Sequence, residues 1–140
     1  APQEVDHPVR PLADEIAGAL CSVRHPFLEI RLQSLGAFGK NRPKALYAAV
    51  SPSPALLDLQ ASQEHLLRRL GVSIEPRTYT PHVTLARLSN VSARAVADWL
   101  SVHDGGEAHQ FRAERFALMS SRESRGGGPY VTEEIYALGR

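Results

Sequence analysis

Helices are predicted in three stretches where apolar residues recur at intervals of three and four. The first lies between Pro11 and Arg24, and the second follows Ser51-Pro52-Ser53-Pro54 and ends at Gly71, a residue suited to a helix C-terminus. The third begins after Ser92, a residue that commonly caps helix N-termini. The apolar faces comprise Leu12, Ile16, Ala19, Leu20 and Val23; Leu56, Leu59, Leu66, Leu67 and Leu70; and Ala93, Val96, Ala97 and Leu100.

Strands are predicted where apolar and polar residues alternate, or where a short apolar run lies between turn residues. Residues 36–43 and 120–129 are rich in glycine and polar residues and are predicted loops. The predicted strands are residues 27–35, 45–50, the segment around His82, residues 110–119 and residues 130–138.

The order helix, strand, loop, strand occurs twice, which predicts an internal duplication. In this alignment by pattern, Leu35 corresponds to Leu118 and Tyr47 to Tyr136. We therefore expect one α+β domain over residues 1–140. Its repeat halves span about residues 1–52 and 76–140, joined by a helix at about residues 55–70.

Composition excludes several classes of protein. The chain has 140 residues, 43% of them hydrophobic, and a formal net charge of +1, so charge alone would not hold a long polyanion. Any nucleic-acid contact is expected at an end or over a few nucleotides. The single cysteine allows neither an internal disulfide nor a thiolate metal cluster. Because no apolar run approaches the roughly 20 residues of a membrane span and no signal pattern is present, we expect a cytoplasmic location and no membrane contact.

Side chains that could bind a phosphate lie close together in one predicted strand, Thr80-Pro81-His82-Val83-Thr84-Leu85-Ala86-Arg87. Alternation along a strand places His82 and Thr84 on one face, and Val83 and Leu85 are expected to fill a core on the other. An imidazole beside a hydroxyl supplies part of a phosphate site. Arg87 lies an odd number of positions from His82, so we expect it on the opposite face, closing a salt bridge, unless a β-bulge intervenes.

Three strings together carry a family resemblance. They are Pro81-His82-Val83-Thr84-Leu85-Ala86-Arg87, Leu118-Met119-Ser120-Ser121-Arg122 and Gly126-Gly127-Gly128-Pro129-Tyr130. They resemble the two-histidine phosphoesterases, and within them the RNA 2′,3′-cyclic phosphodiesterases, also called 2′-5′ RNA ligases. The first string is similar to the family's second His-x-Thr motif. The resemblance covers nearly the whole chain and implies two pseudosymmetric lobes, each an antiparallel sheet backed by helices, with a His-x-Thr strand from each facing a shared cleft.

The resemblance implies hydrolysis of RNA 2′,3′-cyclic phosphate ends to 2′-phosphomonoesters, with an RNA end or cyclic nucleotide as substrate. Such a reaction needs a base and an acid on opposite sides of the phosphorus, and two imidazoles can supply both near neutral pH without a metal or cofactor. His82 is expected to be the water-activating base, with the acid role as the alternative, and Thr84 to donate to phosphate oxygens.

Four further residues are expected at the substrate, each with an ordinary structural alternative. Arg122 would contact phosphate or ribose, or be a solvated loop charge. Arg87 would contact substrate, or form the salt bridge described above. Tyr130 would stack on a base, or pack in a core. Phe38 would line the other wall of the cleft, or belong to a surface loop.

The family's first His-x-Thr motif is missing from these 140 residues, since His82 alone among the six histidines has a hydroxyl residue two positions on. The duplication places the partner strand before Ala1. We therefore expect an N-terminally incomplete fold that lacks an estimated 40 or so residues of the family pattern, through truncation or as a natural half-site protein. A natural half-site would expose strand edges, so a strand-completed dimer is expected in that case and a monomer otherwise.

Two other functions remain open from the sequence. One is a non-catalytic module in which the His82 motif and Arg122 bind a phosphate or an RNA end. The other is an assembly protein that completes its sheet with a strand from another chain.

Overall fold

The structure, a computed structural model, describes residues 12–74, 78–121 and 130–139. Residues 12–20 form helix α1. The other elements, in chain order, are β1 (Leu28–Phe38), β2 (Ala45–Val50), α2 (Pro54–Arg69), β3 (His82–Arg87), α3 (Ala93–His103), β4 (His109–Ala113), β5 (Arg115–Ser120) and β6 (Val131–Ala137). Helices with antiparallel sheets confirm the predicted α+β class.

The chain divides into two compact units. One comprises residues 29–53 and 77–112 and contains most of β1 to β4 with α3. The other comprises residues 1–28, 54–76 and 113–140 and contains α1, α2, β5 and β6. Each unit draws on both predicted repeat halves, so the compact units and the predicted repeats divide the chain differently. The single-domain duplication stays a prediction.

The first unit is built on a four-stranded sheet in the order β3-β2-β1-β4. β2 pairs antiparallel with both β1 and β3, and each pairing contains one shift of register. The backbone N–H of Leu35, in β1, donates to Asp104 Oδ1 at 2.8 Å. The carboxylate after α3 therefore satisfies a strand N–H of the sheet.

The second unit contains the antiparallel pair β5-β6. Tyr136 is buried, stacks on Phe116 with ring centroids 4.9 Å apart, and donates its hydroxyl to the Ala17 carbonyl of α1 at 2.8 Å. This hydrogen bond links α1 to the β5-β6 pair. Burial raises the pKa of Tyr136 above its ordinary value of 10.0, and nearby Cys21 and Glu134 add to the shift.

Three details differ from the predicted elements. Residues 110–119 form two strands in different sheets, with a break at Glu114, whose carbonyl accepts the Leu138 N–H at 2.8 Å. β1 continues through Phe38, so that residue lies in a strand and the surface-loop alternative for it is wrong. Val83 and Leu85 are 41% and 53% exposed, so the expectation that they fill a core is wrong. Among the described residues, their strand, β3, lies at the edge of the sheet, and its apolar face is incompletely covered.

The predicted start of α3 and the predicted end of α2 agree with the structure. Ser92 caps α3 by accepting the Ala95 N–H on its hydroxyl oxygen at 3.1 Å. Gly71 follows α2 with φ +85°, a conformation that favours glycine. The hydrophobic core of the described chain comprises Leu20, Leu28, Ala48, Val50, Leu59, Val96, Tyr136 and Leu138, and Pro43 is also buried.

Candidate active site

Three rows of residues cross β1, β2 and β3 on one face of the four-stranded sheet. Residues that pair across antiparallel strands point to the same side, so the register identifies the members of each row. The rows are Ser34, Ala49 and His82; Gly36, Tyr47 and Thr84; and Phe38, Ala45 and Arg87.

A β-bulge brings Arg87 to this face. Tyr47 pairs with Thr84, whereas the preceding residue of β2, Leu46, pairs with Ala86, so Leu85 is the extra residue of β3. One extra residue reverses the alternation of side chains beyond it. The expectation that Arg87 lies on the opposite face is therefore wrong, and the bulge that could overturn it is present.

His82 is exposed, with one ring nitrogen held by the backbone. Its Nδ1 lies 2.7 Å from the carbonyl oxygen of Thr80. Because a carbonyl can only accept, Nδ1 carries the proton, and Nε2 of the neutral ring retains its lone pair. A general base needs this tautomer.

Two aromatic rings pack against the imidazole. The ring of Phe38 meets it edge to face, with centroids 4.8 Å apart and planes at 76°. Tyr47 does the same at 5.6 Å and 64°. Phe38 and Tyr47 stack on each other with centroids 4.3 Å apart. Phe38, which the sequence analysis expected to line the cleft, thus contacts His82.

Sequence reasoning missed Tyr47 and Gly36 as parts of this site. A Cβ on Gly36 would lie 2.5 Å from Cζ and 2.6 Å from Oη of Tyr47, so glycine makes room for that ring. The sequence pattern placed Gly36 in a loop, so its position within β1 was not predicted, and the residue opposite it depends on strand register.

The other predicted site residues lie in the second compact unit or outside the described residues. Tyr130 is 57% exposed and lies just before β6, in the other compact unit, so the alternative that it packs in a core is wrong. Arg122 and the glycines at 126–128 lie outside the described residues.

Among residues 12–74, 78–121 and 130–139, no helix combines the length and apolar character needed to cross a membrane. In the same ranges, no three or more His, Cys, Asp or Glu side chains are grouped so that they could hold a metal ion.

Solved structures share this fold. E. coli LigT in complex with 3′-AMP superposes with a TM-score of 0.70 at 19% identity, covering 93% of this chain and 70% of LigT. A protein of Thermus thermophilus, TT0787, superposes with a TM-score of 0.61 at 19% identity, covering 91% and 68% of the two chains. The class defined by fold and site is therefore an α+β protein of the LigT type, with an exposed histidine on an antiparallel sheet.

Sequence comparison identifies the family. The LigT like phosphoesterase family matches residues 49–130, a range that includes His82, Thr84 and Arg87 and more than half of the chain. The chain belongs to the LigT-like phosphoesterases. An RNA 2′,3′-cyclic phosphodiesterase of Aeropyrum pernix is 36% identical over 80 residues, which are 56% of this chain and 46% of that protein. The match thus spans less than half the length of this curated relative.

Proposed function

We propose that this protein hydrolyses RNA 2′,3′-cyclic phosphate ends to 2′-phosphomonoesters without a metal ion. Support comes from membership of the phosphoesterase family and from the named activity of the Aeropyrum pernix relative. It also comes from LigT, whose crystal structure contains 3′-AMP, a nucleotide with a ribose phosphate.

The observation that carries the proposal is the shared face of His82, Thr84 and Arg87. Nδ1 of His82 donates to the Thr80 carbonyl, so Nε2 can take a proton from water as the water oxygen attacks phosphorus. The new P–O bond forms as the bond to the ribose 3′ oxygen breaks, and that oxygen receives a proton from an acid on the far side. The Thr84 hydroxyl and the Arg87 guanidinium would stabilise charge on the nonbridging oxygens.

The other parts of the proposal follow the family resemblance. We place the second imidazole on a His-x-Thr strand outside these 140 residues. Phe38, Tyr130 and Arg122 would contact the substrate, with Tyr130 stacking on a base and Arg122 at the phosphate or ribose. The proposed setting is the cytoplasm, with RNA ends or cyclic nucleotides as partners and a monomer as the oligomeric state.

The test measures hydrolysis of 2′,3′-cyclic AMP in excess EDTA. Because the 140 residues contain one His-x-Thr motif, we expect slow turnover, so the protein is kept in excess over substrate. His82→Ala should lower the rate by about 100-fold or more, the lower end of general acid–base effects. His65→Ala is the matched control, since His65 is an exposed histidine of α2.

Three outcomes separate this function from its alternatives. Retained activity in His82→Ala would refute the role assigned to this imidazole. Binding of 2′-AMP that depends on His82, without hydrolysis by any variant, would favour a non-catalytic RNA-end module. Self-association without nucleotide binding would favour an assembly protein.

A further inference from the structure

Tyr47 occupies a central place beside His82 that no catalytic step above uses. It lies in the middle strand of the three rows, between Gly36 on β1 and Thr84 on β3. Its ring does not stand upright over its own strand but lies across Gly36, where a side chain would otherwise project. From there it contacts both Phe38 and His82.

The imidazole has few other restraints. His82 lies in an edge strand and is exposed, and an exposed histidine can rotate about its Cβ–Cγ bond among several orientations. Holding Nδ1 at the Thr80 carbonyl requires one orientation of the ring. The edge-to-face packing of the stacked pair Phe38 and Tyr47 favours one ring orientation, because such contacts depend on geometry as well as area.

We propose that Tyr47, lying over Gly36, is a positioning residue that holds the His82 imidazole with Nδ1 on the Thr80 carbonyl, so that Nε2 is the unprotonated nitrogen of the neutral ring. The aromatic ring of Tyr47 makes the contact with the imidazole, and the hydroxyl of Tyr47 is not needed for it. Gly36 is part of this arrangement because any larger residue would displace the Tyr47 ring. This inference rests on the proposed function for its kinetic consequence, but not for its effect on the imidazole itself.

The first measurement reads the ring directly. Long-range ¹H–¹⁵N NMR of the histidine side chains, at a pH where His82 is neutral, distinguishes the Nδ1–H from the Nε2–H tautomer. The wild type should show Nδ1–H, and Tyr47→Phe should keep it, since the ring is retained. Tyr47→Leu should give a mixture of the two tautomers. An unchanged Nδ1–H signal in Tyr47→Leu would overturn the proposal.

The second measurement uses the substitution Gly36→Ala, which displaces the Tyr47 ring without removing it. Gly36→Ala should reproduce the tautomer mixture of Tyr47→Leu, because the added methyl group displaces the ring. Gly106→Ala is the control, since a Cβ there meets nothing within 4 Å. In the Tyr47→Leu background, Gly36→Ala should add nothing, because the clashing ring is gone. Additive effects would show that Gly36 acts independently of Tyr47 and would overturn their coupling.

The third measurement is kinetic. It considers only the His82-dependent hydrolysis rate, which is the wild-type rate minus the rate that remains in His82→Ala. Tyr47→Leu should lower the saturating rate by about 10- to 100-fold, the cost of a misplaced catalytic group, with KM unchanged. Tyr47→Phe should restore most of it. A raised KM at an unchanged rate would mean that Tyr47 contacts substrate, which contradicts a positioning role. If no hydrolysis depends on His82, the proposed function fails, and the NMR result still decides whether Tyr47 orients the ring.

Discussion

The rings of His82 and Phe38 meet edge to face, with centroids 4.8 Å apart, although β2 lies between their strands. The contact is possible because both residues lie on one face of the sheet and Tyr47 stacks on Phe38. The exposed imidazole of His82 thereby packs against an aromatic surface formed by Phe38 and Tyr47.

Thr84 should act through its hydroxyl. Thr84→Val keeps the β-branched shape of the side chain but removes the donor proposed for a phosphate oxygen, so hydrolysis should fall by about 100-fold. Thr84→Ser should retain most of the rate. Thr132→Val, in the exposed part of β6, is the control. The measurement is the single-turnover rate with 2′,3′-cyclic AMP, and wild-type rates in Thr84→Val would exclude this role.

Arg87 should contribute to phosphate binding because the bulge at Leu85 places it on the face of His82. A hydrogen bond to a charged group contributes about 1.5–3 kcal/mol, so Arg87→Ala should weaken 2′-AMP binding by about 10- to 100-fold in calorimetry. Arg94→Ala, an exposed arginine of α3, is the control.

The bulge itself can be tested by deleting Leu85, the extra residue, which leaves Arg87 two positions after Thr84 in a regular strand and so keeps it on the face of His82. The deletion should therefore retain 2′-AMP binding, whereas Arg87→Ala weakens it. A loss of binding in the deletion as large as that in Arg87→Ala would contradict this register, and wild-type binding in Arg87→Ala would show that Arg87 has no part in the site.

The N-cap of α3 should contribute measurably to stability. Ser92→Ala removes the acceptor of the Ala95 N–H and should lower the free energy of unfolding by about 1 kcal/mol. Ser92→Asp should restore it. Denaturant unfolding checks both variants, with exposed Ser89→Ala as the control. Equal losses at positions 89 and 92 would contradict a capping role.

Stability should fall at alkaline pH in a way that depends on Tyr136. Burial raises the pKa of this phenol above its ordinary value of 10.0, so the folded state favours the protonated form. The stabilisation is complete below about pH 10 and is lost as the pH rises through the higher pKa of the folded state.

Tyr136→Phe removes the hydrogen bond to Ala17, so it should cost about 1 kcal/mol near neutral pH and make the alkaline decline shallower. Some decline should persist, because burial also raises the pKa of Tyr79. Thermal unfolding between about pH 8 and pH 11 provides the measurement. An alkaline decline as steep as that of the wild type would show that Tyr136 does not cause it.

The sequence by itself determined the features that depend on neighbouring residues along the chain. Helical spacing and Ser92 predicted α3 and its N-cap, and the residues of β2 were predicted without error. Alternation placed His82 and Thr84 on one face, because side chains two positions apart in a strand share a side. The family resemblance, carried by the string from Pro81 to Arg87, is confirmed by the family match.

The tertiary structure decided what depends on the pairing of distant strands. The bulge at Leu85 appears only when β3 is set against β2, and it reverses the side of Arg87. Register also placed Tyr47 over Gly36 and against His82, and an edge position left Val83 and Leu85 exposed. The physical reason is that a one-residue shift between strands changes which side chains meet, while the local sequence pattern remains the same.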